Sequence, residues 1–301
     1  MTEEILLSIC IVSYQARDYL RDCLLSIREY PPDGAYEIIV VDNGSTDGTI
    51  SMLREEFPET VVIQNQDNEG FTAPMNQALH RGQGNYLLQM NPDTLVHPGA
   101  FNELIRFLKT HPDVGICGPK VLNTDGSLQS PCRRGESRPW AVISYFLRLP
   151  ALFPHSKFFG GYLMNYMDED ETHTVAGVAG SCMMIRKEVI TGIGYLDEQF
   201  FAWQEDADYC LRARKAGWKI FYVPSAFITH YGGQGGSRVQ PYRSIIEWHR
   251  SYWLFYRKNY AGDYFFMLNW MYYLAMLLKL GGALLLNYFS KEKRAGRQKP
   301  R

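Results

Sequence analysis

Three features of the sequence predict an α/β fold built on a mostly parallel sheet flanked by helices. Short β-branched runs alternate with helix-like segments of about 10 residues through the first 120 positions, the pattern of successive βαβ units. Hydrophobic residues make up 46% of the 301 and charged residues 21%, enough apolar material for a sizeable core. Clusters of Asp, Asn, Ser and Gly follow the apolar runs directly, where an open parallel sheet binds its ligands.

The elements follow in order. Residues 5–14 form an apolar strand, and 18–29 carry Leu20, Leu24 and Leu25 at helical spacing. Strands are predicted over 37–41, 60–64, 86–90 and 114–117, with helices over 49–57, 72–82 and 99–110 between them. Because such crossovers are right-handed nearly always, the sheet should be doubly wound. Asn123-Thr124-Asp125-Gly126 is a hairpin-turn signal. Residues 133–173, rich in Pro and aromatic side chains, read as an irregular insert. Strand character returns over 175–185, 219–223 and 226–231, with a helix over 205–217. This half should complete the same domain, giving a catalytic domain over 1–260 and a hydrophobic helical segment with a basic tail over 261–301.

Residues 264–289 are apolar and aromatic and long enough to span a bilayer. Lys279 near the centre would cost about 2.5–3.5 kcal/mol in a spanning helix. With six basic residues and one Glu in 291–301, one or two helices lying in the membrane interface are expected, rather than a clean span. The alternative is a helix packed on the protein itself or on a second copy.

Other classes are disfavoured. Lys+Arg of 31 against Asp+Glu of 32 lacks the basic excess of a nucleic-acid binder, so no nucleic-acid partner is expected. Six cysteines form no C-x-x-C pair and read as small buried thiols. MTEEILLSIC has no basic n-region, so the catalytic part is expected in a reducing cytoplasm. Neither G-x-G-x-x-G nor a G-K-[ST] loop is present.

The polar strand ends should gather along one sheet edge as a cleft. Ser13-Tyr14-Gln15 ends the first strand, Asp42-Asn43-Gly44 the second, Asn65 through Asn68 to Gly70 the third, and Asn91-Pro92-Asp93 the fourth. Asp42 to Gly48 also reads as ordinary turn chemistry, with Asp47 as a helix cap. Asp93 is a hard oxygen ligand suited to Mg2+ or Mn2+, or else a helix cap. Glu205, Asp206 and Asp208 sit together at a helix start, where one can accept a proton as general base or all can complement the helix dipole. Trp203 is placed to stack on a sugar or to fill the core. His230, before Gly232-Gly233-Gln234-Gly235-Gly236, is a second metal-ligand candidate or a structural histidine.

The ordered stretches SICIVSYQARDYLRDCLLSI, VVDNGSTDGT, NEGFTAPMNQAL, GNYLLQMNPDTLVHPGAF, GSCMMIRKEV, FFAWQEDADYCLRARKAGWKI and ITHYGGQGGS together resemble the family 2 inverting glycosyltransferases of the GT-A (Rossmann-like) fold, within them the rhamnosyltransferase branch. The resemblance covers about residues 5–260. It implies an enzyme, a hexosyltransferase using a nucleotide-sugar donor. Asp42 would read the nucleobase, with Ser13, Tyr14, Asn43, Asn68, Gly70 and Asn91 lining the nucleotide site. Asp93 would take the last position of the D-x-D metal motif with His230 completing it, Asp206 would be the base with Glu205 next, and Trp203 and Gly180 would face the sugar or acceptor. The chain departs from D-x-D at Asn91, which weakens the case for metal dependence. The implied donor is dTDP-L-rhamnose, with UDP-hexose or furanose donors open. The implied acceptor is a glycan or lipid-linked glycan in cell-surface polysaccharide synthesis, at the cytoplasmic face of the membrane in a peripheral or monotopic arrangement. The alternatives are a nucleotidyltransferase, which should carry a Gly/Lys/Arg-rich loop where VSYQARDYL stands, and a catalytically inactive glycan-binding scaffold.

Overall fold

A computed structural model describes residues 4–234 and 236–290. Gly235 and the basic tail 291–301 lie outside the described residues. Strands are β1 (Leu7–Ser13), β2 (Tyr36–Asn43), β3 (Val61–Asn65), β4 (Tyr86–Met90), β5 (Thr94–Val96), β6 (Val114–Leu122), β7 (Arg133–Arg134), β8 (His173–Thr174), β9 (Gly177–Val178), β10 (Cys182–Arg186) and β11 (Lys219–His230). Helices are α1 (Arg17–Glu29), α2 (Thr49–Glu56), α3 (Thr72–Arg81), α4 (Ala100–Thr110), α5 (Pro139–Phe146), α6 (Leu149–Leu152), α7 (Lys187–Ile193), α8 (Glu205–Lys215), α9 (Gly236–Val239), α10 (Pro241–Asn259) and α11 (Phe266–Phe289).

The main sheet runs β3-β2-β1-β4-β10-β6-β11-β5, with β8 pairing β11. Its first four strands are mutually parallel, as the alternation predicts, so their carboxyl ends share one edge. Every residue of β1 is buried, the signature of a strand covered on both faces. On α1, Leu20, Cys23, Leu24 and Ile27 lie at i, i+3, i+4 and i+7 and are all buried. All six cysteines are buried free thiols, as their apolar surroundings suggest.

The second half departs from a uniformly parallel sheet. The strand expected over 175–185 is two pieces, β9 and β10, and β10 runs antiparallel between β4 and β6. The break spans residues 179–181, where the Gly180 N–H donates to Asp206 Oδ2 at 2.8 Å rather than to a ladder. The two strands expected over 219–231 are one, β11, with a register shift between Val223 and Phe227. Pro224 sits in that irregularity and has no N–H to give to a ladder. β6 runs on to Leu122, past the expected end at 117, because it pairs with β11 over this added length. The insert contains α5 and α6, and α10 is a further helix not foreseen.

Among the described residues the C-terminal segment forms one helix, α11, within the one or two expected. Tyr264, Tyr272 and Tyr273 pack against a satellite core of Phe200, Leu211, Phe255, Tyr256 and Tyr260, which ties α8, α10 and the C-terminal segment together.

Candidate active site

The strand ends do converge. Ser13 and Asp42 are register partners at the ends of β1 and β2. Asp42 is fully buried; its Oδ2 accepts the Ser45 N–H at 3.1 Å, while Oδ1 has no partner. Ser13 Oγ is likewise buried and unpaired. Burial raises the Asp42 carboxyl above its ordinary range, more than the Ser45 hydrogen bonds lower it. An unsatisfied buried polar atom costs about 1–3 kcal/mol, so two side by side at a strand edge are an open invitation to a polar ligand. Tyr14 is half-buried beside them, its hydroxyl accepting from Gln240 Nε2 at 3.3 Å.

Asn43, Asn68 and Gly70 build the floor of this edge by bonding one another. Asn43 Nδ2 donates to Asn68 Oδ1 at 3.1 Å and to the Gly70 carbonyl at 2.6 Å, and its Oδ1 accepts from Glu69 N at 3.1 Å. Asn43 is therefore a hub that shapes the loop. Gly70 is held at φ +94°, and a Cβ there would lie 2.4 Å from the Phe201 carbonyl oxygen, so only glycine lets this loop meet the one before α8. The N-cap of α2 is Gly48, in the left-handed region, rather than Asp47; Asp47 stands one residue before it and accepts from Thr49 N, Thr49 Oγ1 and Arg17 N at 3.2, 2.6 and 2.9 Å.

At the next strand end, Asp93 is 4% exposed and its Oδ1 lies 3.1 Å from His230 Nε2. Asn91 Nδ2 lies 3.1 Å from the same nitrogen. Asp93 caps no helix; its Oδ2 accepts the Gln234 N–H at 3.2 Å. Burial works against the Asp93 charge, but His230 and the Gln234 N–H outweigh it and hold the carboxyl below its usual range.

Gln129 orients the histidine: its Nε2 donates to the His230 carbonyl at 2.6 Å and its Oε1 lies 3.0 Å from Nδ1. An oxygen facing Nδ1 places a proton there and points Nε2 at Asp93: carrying a proton, Nε2 donates to Asp93 Oδ1, and a cation held between the two would take that proton's place. Asp93 and His230 thus fit a divalent cation as a partial site, with ligands still needed from a bound diphosphate. Among the described residues no three His, Cys, Asp or Glu side chains converge into a complete cage.

The acidic helix start adjoins this edge. Asn91 N donates to the Ser181 carbonyl at 3.0 Å, and Gly180 N donates to Asp206 Oδ2 at 2.8 Å, so the two carboxylate groups stand on neighbouring backbone turns. A Cβ on Gly180 would meet Gln89 Nε2 at 2.4 Å. Asp206 Oδ2 also pairs with Arg134 Nη2 at 2.6 Å, both side chains nearly buried. Trp203, half-buried, and Gln204 precede the helix at φ +64° and +66°, a left-handed pair that costs energy and is typical of functional turns. Asp208 takes the structural role: it is fully buried and held by Arg212, Lys258 and Asn259 at 2.9, 2.8 and 3.0 Å.

Glu205 is buried with Oε2 unpaired, and burial, then the Asp206 charge, pushes its carboxyl up to about 8. It therefore carries a proton at neutral pH. The folded value lies above the ordinary 4.5, so the native state holds a proton that the unfolded chain releases, and stability falls as pH rises from 4.5 to about 8. Glu205→Gln keeps a neutral side chain of the same shape. It should be nearly silent at acid pH and, one pKa unit being worth about 1.4 kcal/mol, stabilise the fold by roughly 1–3 kcal/mol at about pH 9. Urea melts at the two pH values check this; equal effects at both would refute it.

Arg134 and Gln129 are the site residues that sequence reasoning missed. Their partners lie 72 and 101 residues away, and nothing in the local pattern marks them.

A sheet whose parallel strands deliver Ser13, Asp42 and Asn91–Asp93 to one edge, closed by His230 and an acidic helix start, defines a GT-A glycosyltransferase. The chain belongs to Glycosyltransferase like family 2, whose model matches residues 5–260. It is 25% identical over 279 residues to the N-acetylglucosaminyl-diphospho-decaprenol L-rhamnosyltransferase of Mycobacterium tuberculosis, covering 88% of each chain. It is 28% identical over 215 residues to the low-salt glycan biosynthesis hexosyltransferase Agl10 of Haloferax volcanii, covering 69% of this chain and 62% of that one. Among solved structures it superimposes on S. aureus TarS 1-349 in complex with UDP-GlcNAc, with TM-score 0.58, 17% identity and 83% of this chain covered. It also superimposes on the mannosyltransferase PcManGT of Pyrobaculum calidifontis in complex with GDP-Man and Mn2+, with TM-score 0.56, 16% identity and 83% covered. The chain spans 65% and 64% of those two structures, less than two thirds of their length. At these identities they speak for the fold alone.

Proposed function

We propose that the chain transfers L-rhamnose from dTDP-L-rhamnose to a lipid-linked glycan at the cytoplasmic face of a membrane, with inversion at the anomeric carbon. Residues 1–260 supply the catalysis and the segment after 260 the membrane contact. The observation that carries the transfer is the unpaired Asp42–Ser13 pair on the same sheet edge as Asp93, His230 and Asp206. The choice of sugar and acceptor is supported by the mycobacterial relative.

In this reading Asp42 accepts the imino N–H of the nucleobase, with Ser13 and Tyr14 beside it, while the loop braced by Asn43, Asn68 and Gly70 walls the pocket. Asn91, Asp93 and His230 face the diphosphate. The chemistry that Mg2+ or Mn2+ supplies when held by Asp93 and His230 is neutralisation of the leaving diphosphate. Trp203 and the Gly180 backbone border the sugar and acceptor. Asp206 accepts the acceptor hydroxyl's proton as that oxygen attacks opposite the leaving group. Glu205, protonated, stays beside it as a hydrogen-bond donor.

The test is calorimetric titration of the folded protein with dTDP, UDP and GDP, with and without Mn2+. Tight binding of dTDP over the others, strengthened by Mn2+, is expected. No binding of any nucleotide would refute the proposal. In the same titration Asp42→Asn should weaken nucleotide binding about 10–100-fold, the worth of a hydrogen bond to a charged acceptor. Unchanged affinity would remove Asp42 from the base pocket.

A further inference from the structure

We propose that the insert helices α5 and α6 form, together with α11, one bilayer-docking face for anionic lipid, so that the membrane is held at two places in the sequence. This rests on the membrane-facing reading given above and adds a surface to it.

The first observation is that α5 is apolar on two sides. Val142 and Phe146 face Tyr162 and Leu163 within a small internal cluster. Trp140, Ile143 and Leu147, spaced i, i+3 and i+7, form a separate exposed stripe, with Leu147 62% exposed. Leu152 and Phe158 extend it at 70% and 64% exposed, and the Trp140 and Phe158 rings meet at 5.1 Å. A soluble helix has no reason to present large apolar side chains on its second face.

The second observation is charge. Residues 139–167 contain Arg148 and Lys157 and no Asp or Glu, while Arg138 just before them is paired with Glu136 at 2.7 Å and faces Asp263 at 3.6 Å. Of the four acids that follow, Asp168 to Glu171, Glu169 and Asp170 are drawn to Lys120 at 3.1 and 2.6 Å. Aromatic and aliphatic side chains interleaved with cations and free of acids match a bilayer interface with anionic headgroups, and do not match a mixed-charge protein partner.

The third observation is continuity. Lys279, the sole charge in α11, lies with Nζ 3.7 Å from the Trp248 ring and 4.1 Å from the Phe146 ring, so its ammonium is turned onto α10 and α5. The opposite stripe of α11, with Trp270, Leu274, Leu278 and Leu285, is exposed. Lys279, half-buried, thus turns its ammonium away from that stripe. Tyr162 from the insert meets the Tyr252 hydroxyl of α10 at 3.3 Å, and the Tyr252 carbonyl accepts from the Tyr272 hydroxyl of α11 at 3.3 Å, which ties the insert to α11.

The test uses the full chain with phosphatidylcholine vesicles, with and without phosphatidylglycerol. In the Trp270→Phe protein, vesicles with brominated acyl chains should still quench tryptophan emission, and adding Trp140→Phe should abolish most of that quenching. Equal quenching of the two proteins would overturn the proposal. Leu147→Glu with Leu152→Glu should lower partition onto phosphatidylglycerol vesicles by about tenfold or more, with the melting curve and nucleotide binding unchanged. Unchanged partition, or a change from dimer to monomer without loss of partition, would mark the face as a protein contact and overturn it. Failure of the transferase reading shows separately, as absence of nucleotide binding in a protein that still binds vesicles.

Discussion

Asp206→Asn is expected to cut turnover about 10²–10⁴-fold, the usual worth of a positioned general base, with donor affinity nearly unchanged. The substitution keeps the shape of the side chain and an oxygen to accept the Gly180 N–H, now at 2.8 Å. It removes the basic lone pair and the charge that Arg134 faces. Single-turnover kinetics beside nucleotide calorimetry separate the two effects. Turnover within tenfold of the native enzyme would exclude Asp206 as base. Glu205, protonated near neutrality, would then be a poor replacement, and a base outside the acidic pair would be required.

Arg134→Met should be the most damaging change to the fold near the site. The Arg134–Asp206 pair is nearly withdrawn from solvent on both sides, at 10% and 12% exposed. Deleting the cation leaves a carboxylate buried without its partner, which costs about 3–5 kcal/mol. Arg134 Nη2 also donates to the Val178 carbonyl at 2.6 Å, so the same change releases β9 from its place beside α8. A lowered urea midpoint reads the first loss. If Arg134 also positions the base, turnover should fall with the donor KM unchanged, and Arg134→Lys should restore part of it. A stable protein with native turnover would show that Asp206 keeps its place without Arg134. The double variant Arg134→Met with Asp206→Leu should be less destabilised than Arg134→Met alone, because no buried charge then lacks a partner.

The two adjacent carboxyl groups have different partners. Asp206 has a buried cation and a backbone N–H beside it, while Glu205 has an unpaired oxygen and a like charge next door. Environment separates their roles although sequence places them side by side.

Chain order alone establishes the parallel half of the fold and the edge on which the site lies. Hydrophobic periodicity and the polar residues at 13–15, 42–48, 65–70 and 91–93 are local signals, and β1 to β4 with α1 to α3 follow them within a residue or two. Asp42, Asp93, Glu205 and Asp206 could be picked out as candidates because a carboxylate after an apolar run is conspicuous. What tertiary structure decided is which neighbour each of these groups meets. The antiparallel insertion of β10 depends on pairing with β4 and β6 across long stretches of sequence. That Gln129 fixes the His230 ring, that Arg134 reaches Asp206, that Asn43 braces a loop and that Lys279 lies over Trp248 are contacts between distant segments. Burial and partner identity set protonation and ligand capacity, and both are properties of the packed chain, whereas propensity and period are properties of a window of residues.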